Sequence, residues 1–560
     1  MSRVIVVGGG MGGLASAARL AAAGHRVTVL ERSASCGGKL GTYTRDGFTF
    51  DTGPSLLTLP SVYRELFAAT GADLDELVDI VPVDPACRYR FADGTELAVP
   101  HERAAVPDAL DAAFGGGAGA EWRALMRDAE RLWGLVGEPV LRRPLHGTRD
   151  LLRHAGGVRD LVAIAPWRTL RGIGRRRLSD PRARMLLDRY ATYTGSDPRR
   201  LPAVLSVVPF VEQEFGAWHV RGGLRRLADA LVERLAVLGA DVRTGAEVTA
   251  IETGPTGVRG VRLADGERLA ASVVVANADA AHVYGDLLDD PRARRPRRAL
   301  RRTQPSLAGF VLLLALRGTT PDPSHHRVLF PARYDAEFDA IFGRAPRPVG
   351  DPAVYVCAPE DPQLHPPGCE AWFVLVNAPR HDPPSGVDWT APGLAEDYAD
   401  RVLELLAARG LDVRNRLLWR EIRTPADLAR DAGAPGGAIY GSSSNGPRAA
   451  LLRPANATPV PGLYLASGSA HPGGGLPLVA MSAEIVAGLV GPPPRRRNQP
   501  GTAAGSDAVN DSFLASDAVN DSLLASDAVK ESFTAPASAA LPAPPERPRD
   551  THPEVGQADE

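Results

Sequence analysis

Residues 4–13 read VIVVGGGMGG, and this stretch decides the fold. Its four consecutive apolar residues predict a strand of a parallel sheet, because such strands are covered on both faces. The glycines follow the spacing GxGxxG, and the alanine-rich residues 14–23 predict a helix directly after them. The apolar RVTVL of residues 26–30 predicts a second strand, so the N-terminus reads as a β-α-β unit.

Each glycine of this motif has a physical role in dinucleotide binding. Gly8 permits the turn out of the strand, Gly10 lets the backbone approach a pyrophosphate, and Gly13 lets the helix pack close to the strand. Free N–H groups and the dipole at the start of the helix attract the phosphates. Glu31 ends the second strand, where it can accept hydrogen bonds from a ribose. We therefore predict a dinucleotide site.

A second glycine turn favours FAD over a nicotinamide cofactor. Gly37 and Gly38 expose backbone, and Lys39 beside them offers a cation for a phosphate. A simple nicotinamide-binding domain has no need of this turn. The alternative for Lys39 is a solvated surface lysine.

A third glycine-rich segment lies near the other end, in PGLYLASGSAHPGGGLPLVAMSAEIVAG at residues 461–488. It predicts a strand at 462–466, a turn, and a helix at 479–489. The positive start of that helix would stabilise the negative charge that a flavin ring gains on reduction. His471 is either a base or a residue that packs this turn.

The segment between the two glycine-rich ends carries further elements. A glycine pair opens a predicted helix at 222–238, and a strand containing Val248 follows. Strands at 258–263 and 268–276 flank an Asp-Gly turn and predict a hairpin. An Asn-Ala-Asp turn follows at 277–279.

Taken in order, these segments resemble the carotenoid desaturases, FAD-dependent enzymes of the phytoene desaturase type within the amine-oxidase-like flavoprotein superfamily. The resemblance covers roughly residues 1–490, and HPGGGLP at 471–477 is its most specific part. The stretch YATYTGSDPRRLPAVL at 190–205 is most similar to the branch that acts on hydroxylated or partly desaturated carotenoids. The implied fold is α/β: a Rossmann-type FAD-binding domain (glutathione-reductase-like) interleaved with an α+β substrate domain.

The resemblance also implies domain boundaries. We expect the FAD-binding domain in residues 1–90, 219–300 and 456–490, and the substrate domain in 91–218 and 301–455. Residues 491–560 read as a disordered acidic tail with three similar decamers, SDAVNDSFLA, SDAVNDSLLA and SDAVKESFTA. A partner-docking helix is the alternative for the decamers.

The resemblance assigns site residues by position. The pyrophosphate, ribose, flavin and adenine contacts would come from Gly8, Gly10, Gly13, Glu31, Gly37, Gly38, Lys39, Gly53, Pro54, Ser55, Val248, Gly468, Leu476, Pro477 and Leu478. The chain departs from the family at Leu478, where a glycine is common.

The implied substrate is a lipophilic polyene. Desaturation removes a hydride and a proton from adjacent allylic carbons, and the conjugated chain stabilises the developing cation, so no strong protein base is required. No catalytic residue is therefore assigned. The weighed candidates are Arg189, Tyr190, Tyr193 and His471.

Other functions fit the same fold. A carotenoid cis–trans isomerase, a retinol saturase-like enzyme and an amine oxidase are the enzymatic alternatives. An amine oxidase usually has an aromatic cage at the flavin, and the aromatic content of 6% speaks mildly against it. A flavin-binding scaffold without turnover is the alternative of another class.

Composition narrows partners and location. The 64 basic and 66 acidic residues nearly cancel, which argues against nucleic-acid binding. Four scattered cysteines indicate neither a zinc site nor a disulfide framework, so no metal is expected. The longest apolar run, residues 308–316, is half of what a membrane-spanning helix needs. We expect a cytoplasmic protein that can associate peripherally with the inner face of the cell membrane, where a polyene resides; the oligomeric state is not predicted.

Overall fold

The computed structural model describes residues 2–145, 147, 150, 167–447, 449 and 453–493. The predicted tail, beyond residue 493, and its decamers lie outside the described residues. In chain order the strands are β1 (Arg3–Val7), β2 (Arg26–Leu30), β3 (Thr42–Arg45), β4 (Phe48–Asp51), β5 (Ile80–Pro82), β6 (Cys87–Arg90), β7 (Glu96–Val99), β8 (Trp218–Val220), β9 (Asp241–Arg243), β10 (Val248–Gly254), β11 (Gly257–Leu263), β12 (Arg268–Ala270), β13 (Val273–Ala276), β14 (Ala308–Arg317), β15 (His326–Leu329), β16 (Val354–Cys357), β17 (Cys369–Ala378), β18 (Leu417–Arg423) and β19 (Leu463–Leu465). The α-helices are α1 (Met11–Ala22), α2 (Pro60–Ala69), α3 (Val106–Phe114), α4 (Ala118–Val136), α5 (Leu170–Arg177), α6 (Pro181–Arg189), α7 (Val207–Phe215), α8 (Arg225–Val237), α9 (Ala280–His282), α10 (Arg294–Leu300), α11 (Asp335–Phe342), α12 (Leu394–Ala408), α13 (Pro425–Ala432) and α14 (Leu476–Val490).

The first sheet is parallel, with strand order β19-β13-β1-β2-β9. Its central strand, β1, is covered on both faces. Val4 and Val6 pack with α1, α8 and α14, whereas Ile5 and Val7 pack with the antiparallel sheet β10-β11-β12. This double coverage explains why the strand is a continuous apolar run.

The second sheet has seven strands in the order β18-β14-β17-β16-β15-β6-β7 and is antiparallel apart from the β15–β6 pair. Its long strand β14 buries every residue except Arg317. Leu312 and Leu314 on one face pack with Val402 and Leu406 of α12. The other face carries Val311, which lines a large cavity.

The chain passes repeatedly between the two sheets. β1 and β2 belong to the first, β6 and β7 to the second, β9 and β13 to the first, β14–β18 to the second, and β19 returns to the first. The predicted fold class is confirmed: an α/β Rossmann-type sheet is interleaved with an α+β part. Within the described residues, no helix combines the length and the apolarity that crossing a membrane would require.

The predicted second strand of the hairpin divides in two. β12 pairs with β11 as expected, whereas β13 leaves the hairpin and lies between β1 and β19. The reason is burial, because Val274 and Val275 are fully buried and need cover on both faces. The helix predicted at 479–489 begins earlier, at Leu476, with Pro477 in its first turn, where proline is favoured.

Candidate functional site

The glycine turn after β1 is held by close backbone approaches. Gly8 has φ +97°, a conformation that residues with a side chain rarely adopt, and its N–H donates to the carbonyl of Leu30 at 2.8 Å. A Cβ atom at Gly13 would lie 2.2 Å from the carbonyl oxygen of Gly8. Gly10 precedes α1, so the free N–H groups of that helix face the turn. The turn is therefore a cradle for an anionic group.

Glu31 lies at the end of β2 and closes one side of this cradle. Its Oε2 accepts from the N–H of Gly9 at 2.7 Å, and its Oε1 accepts from the N–H of Ser33 at 2.8 Å. Each carboxylate oxygen can accept a further hydrogen bond, as a ribose hydroxyl would require. The N–H of Ala246, two residues before Val248, donates to the Glu31 carbonyl at 2.8 Å, which brings the start of β10 to the same place.

The second glycine turn packs directly on the first. Gly37 donates its N–H to the carbonyl of Gly9 at 2.7 Å, and a Cβ at Gly38 would lie 3.1 Å from Cα of Gly10. Lys39 is half-buried, and its Nζ donates to the carbonyl of Ile439 at 2.5 Å. Desolvation lowers the pKa of this ammonium group. Lys39 lines the cavity and is hydrogen-bonded, so it is not the solvated surface lysine of the alternative.

Residues 53–55 follow β4 and lie next to the second glycine turn. A Cβ at Gly53 would lie 1.8 Å from the carbonyl oxygen of Lys39, so only glycine fits there. Ser55 forms a hydrogen bond with the hydroxyl of Tyr355 at 2.7 Å, which ties this segment to the seven-stranded sheet.

The C-terminal glycine turn forms the opposite wall. The N-terminus of α14 opens here, and the hydroxyl of Tyr63 donates to the Leu476 carbonyl at 2.9 Å. Arg453 is half-buried and donates from Nη1 to the carbonyls of Tyr440 at 2.8 Å and Gly468 at 3.2 Å. Burial lowers the pKa of Arg453 to about 10. The start of α14 and the guanidinium of Arg453 both contribute positive potential to the C-terminal glycine turn.

These segments enclose one cavity of about 1320 Å³, larger than the roughly 300–1,000 Å³ of most ligand pockets. All the predicted site residues except Gly13 line it, and Gly13 packs α1 behind the turn. One apolar part of the lining, here called the apolar arm, consists of Trp133, Val136, Val140, Leu141, Val204, Leu205, Val207, Val208 and Val211. The cavity can therefore hold a dinucleotide and an apolar ligand together.

The candidate catalytic residues separate into two groups. Arg189 and Tyr193 line the cavity, whereas Tyr190 and His471 are buried outside its wall. His471 contacts the carbonyl of Val140 through Nε2 at 3.0 Å and packs the C-terminal turn against the segment after α4. A packing role therefore fits His471 better than that of a base.

Six polar residues, here called the polar patch, line one part of the cavity wall. Its members are Ser55, Arg189, Tyr193, Glu212, His326 and Tyr355. Sequence reasoning missed Glu212, His326 and Tyr355. His326 and Tyr355 lie on neighbouring strands and share a 2.8 Å hydrogen bond through Nδ1. The sequence signals were His326 at the start of the strand HRVL and Tyr355 within the otherwise apolar strand VYVC.

The fold and the cavity define a class: a protein that binds a dinucleotide beside a parallel sheet and an apolar ligand next to it. The family described as flavin containing amine oxidoreductase matches residues 11–328. The chain is 34% identical over 492 residues to a 4,4'-diapolycopene oxygenase of Methylomonas sp, covering 86% of this chain and 97% of that protein. It is 32% identical over 507 residues to a neurosporene-forming phytoene desaturase of Cereibacter sphaeroides, covering 89% and 96%.

A crystal structure of an oxidoreductase from Methanosarcina mazei has the same fold, with a TM-score of 0.59 at 18% identity, over 87% of this chain and 100% of that one. The chain belongs to the carotenoid desaturase family of flavin-containing amine oxidoreductases. It is an oxidoreductase, and its cofactor is FAD. The glycine cradle, the free acceptor capacity of Glu31 and the size of the cavity fit this cofactor.

Proposed function

We propose that the protein desaturates a carotenoid polyene in carotenoid biosynthesis. The observation that carries the proposal is the continuity of the cavity, which joins the glycine cradle to the apolar arm. The two relatives named above act, by their names, on carotenoids. An apolar arm in the same cavity as a dinucleotide cradle suits a polyene, because hydrocarbon burial requires no polar partner.

In this proposal the fifteen predicted residues hold FAD. Gly8, Gly10 and Gly13 form the pyrophosphate cradle, Glu31 receives the adenosine ribose and the backbone of Val248 contacts adenine. The second glycine turn and Lys39 line the pyrophosphate side, residues 53–55 approach the flavin, and Gly468 with residues 476–478 lies at the ribityl chain and the pyrimidine edge. The domain boundaries at 90, 218, 300, 455 and 490 belong to the same proposal.

The chain contributes binding, orientation and electrostatics. Bound FAD supplies the acceptor for the hydride that leaves the polyene. The apolar arm holds the polyene and excludes water. The start of α14 and the half-buried Arg453 would stabilise negative charge on the reduced cofactor. The proton leaves a carbon next to a delocalised cation, so a weak acceptor is sufficient.

The test is to express the chain with pathways that make phytoene, neurosporene or hydroxylated carotenoids, and to follow the polyene absorption. Red-shifted products are expected. A flavin-loaded protein that leaves every polyene unchanged would disprove the proposal. Mass analysis separates loss of two hydrogens from gain of oxygen, which the name of the Methylomonas relative raises as a second candidate.

Two further points belong to the proposal. A chain cut after Val490 is expected to keep its activity, whereas a scaffold acting through its tail would lose its function. Because a polyene resides in bilayers, we also propose a cytoplasmic protein that binds the membrane surface peripherally. Flotation with lipid vesicles tests this, and absence from the vesicle fraction contradicts it.

A further inference from the structure

Arg189 is a buried arginine that faces the cavity from the end of α6, with 7% of its surface exposed. Its Nη1 donates to the hydroxyls of Tyr89 at 3.1 Å and Tyr193 at 3.0 Å. In the part of the chain that the structure describes, no acceptor meets Nε or Nη2, and no carboxylate forms an ion pair with this guanidinium. These donors belong to a side chain that lines the cavity, so an acceptor on a ligand there can form a hydrogen bond with a charged donor.

The surroundings hold Arg189 in place. The guanidinium lies 5.0 Å from the ring centre of Tyr193, 5.3 Å from that of Tyr89 and 5.9 Å from that of Tyr355. Glu212 accepts the hydroxyl protons of Tyr193 at 2.8 Å and Tyr190 at 2.7 Å. Both carboxylate oxygens of Glu212 therefore bind tyrosine hydroxyls, while the guanidinium keeps donors for another acceptor.

None of the other residues of the polar patch accepts a hydrogen bond from Nε or Nη2 of Arg189. The Tyr355 hydroxyl forms hydrogen bonds with Ser55 and with Nδ1 of His326. Burial keeps the pKa of His326 well below its usual range, so its ring is neutral. A purely hydrocarbon ligand in the cavity would cover Arg189 without satisfying it.

We propose that the polar patch binds an oxygen atom carried by the polyene, a hydroxyl or a carbonyl, with Arg189 as the donor. This inference rests on the proposed function, since it names the substrate class of the same cavity. It makes Arg189 a residue that discriminates between an oxygen-bearing carotenoid and the corresponding hydrocarbon. Sites built to bind a substrate oxygen reject analogues that lack it.

The test uses the full-length flavoprotein and two polyenes with the same conjugated chain, neurosporene and hydroxyneurosporene. Kd is measured for each from quenching of tryptophan fluorescence, since Trp133 lines the cavity. We expect the hydroxylated polyene to bind about 10- to 100-fold more tightly, as for a hydrogen bond from a charged donor. Arg189→Met should abolish the difference by weakening hydroxyneurosporene alone.

Two outcomes would overturn the inference: Kd values of the wild type within twofold of each other, or an Arg189→Met variant that weakens both polyenes equally. If Arg189→Met does not fold, Tyr193→Phe and Tyr190→Phe form a matched pair. Both remove a hydroxyl that donates to Glu212, but of the two only Tyr193 lines the cavity and accepts from Arg189. The preference should change in Tyr193→Phe, where Arg189 loses a hydroxyl acceptor, and persist in Tyr190→Phe; equal effects contradict the inference.

Binding and turnover are judged separately. The ratio of the two Kd values decides the inference whether or not either polyene is dehydrogenated. Dehydrogenation decides the proposed function. Equal binding with dehydrogenation of both polyenes leaves the function standing and removes the role of Arg189.

Discussion

The glycine turn after β1 and the polar patch line the same cavity, but they are assembled over very different chain distances. Gly8, Gly10 and Gly13 all lie between positions 8 and 13 of the chain. In the polar patch, Ser55 and Tyr355 are 300 residues apart and meet through one hydrogen bond. A site made of neighbouring residues depends on local backbone geometry, whereas a site made of distant residues depends on the packing of two sheets.

The largest effect on FAD binding is expected at Gly13. A side chain there meets the Gly8 carbonyl at 2.2 Å and Cβ of Asn277 at 2.9 Å, so α1 must move away from the turn in Gly13→Val. We expect loss of bound FAD and destabilisation of about 1–3 kcal/mol or more. Flavin absorbance of the purified protein and denaturant unfolding measure both.

Gly134→Ala in α4 is the matched control. A Cβ there meets nothing within 4 Å, and alanine favours a helix over glycine by about 0.5–1 kcal/mol. FAD content should remain at the wild-type level. Retention of FAD by Gly13→Val would show that the turn tolerates a side chain. FAD binding would then not depend on the close approach of α1 to the turn at Gly13.

The next effect concerns the seven-stranded sheet. Leu312 is fully buried against α12, and Leu312→Ala is expected to destabilise the protein by about 2–5 kcal/mol. FAD should remain bound in the folded protein, since Leu312 lies outside the cavity wall. Leu418→Ala on β18, at a side chain that is 42% exposed, should cost much less. Equal losses in the two variants, measured by denaturant unfolding, would contradict this assignment of the core.

The smallest expected effect is a pH dependence at Glu337. This side chain is completely buried and accepts hydrogen bonds from Asn377 and from the N–H of Ala353, both at 2.7 Å. Burial raises its pKa from 4.5 to about 7. The folded protein therefore holds this proton more tightly than the unfolded chain. The resulting stability is complete below pH 4.5 and is lost as the pH rises through about 7.

Denaturant unfolding at several pH values measures this contribution. In Glu337→Gln the component between pH 4.5 and about 7 should disappear. The exposed Glu76→Gln should leave the pH profile unchanged. Parallel profiles for the wild type and Glu337→Gln would show that the buried carboxyl does not titrate in this range.

The sequence predicted much of the glycine turn after β1 and little of the polar patch. The apolar run of β1, the glycine spacing and Glu31 can be recognised in the sequence, because they belong to one β-α-β unit with a fixed order along the chain. The strand at 273–276 was assigned to a hairpin, since alternation and turn residues do not reveal which sheet covers a strand. His326 and Tyr355 gave no signal of a shared site, because their register across β15 and β16 is set by the whole sheet.

The sequence by itself determined the dinucleotide-binding class, the FAD assignment and the resemblance to carotenoid desaturases. These rest on backbone conformations that only glycine allows and on residues a few positions apart. The tertiary structure alone decided that Arg189 faces the cavity, that Tyr190 and His471 do not, and that Lys39 is hydrogen-bonded in the cavity lining. Those outcomes depend on desolvation and on contacts between distant segments, which no local pattern of residues records.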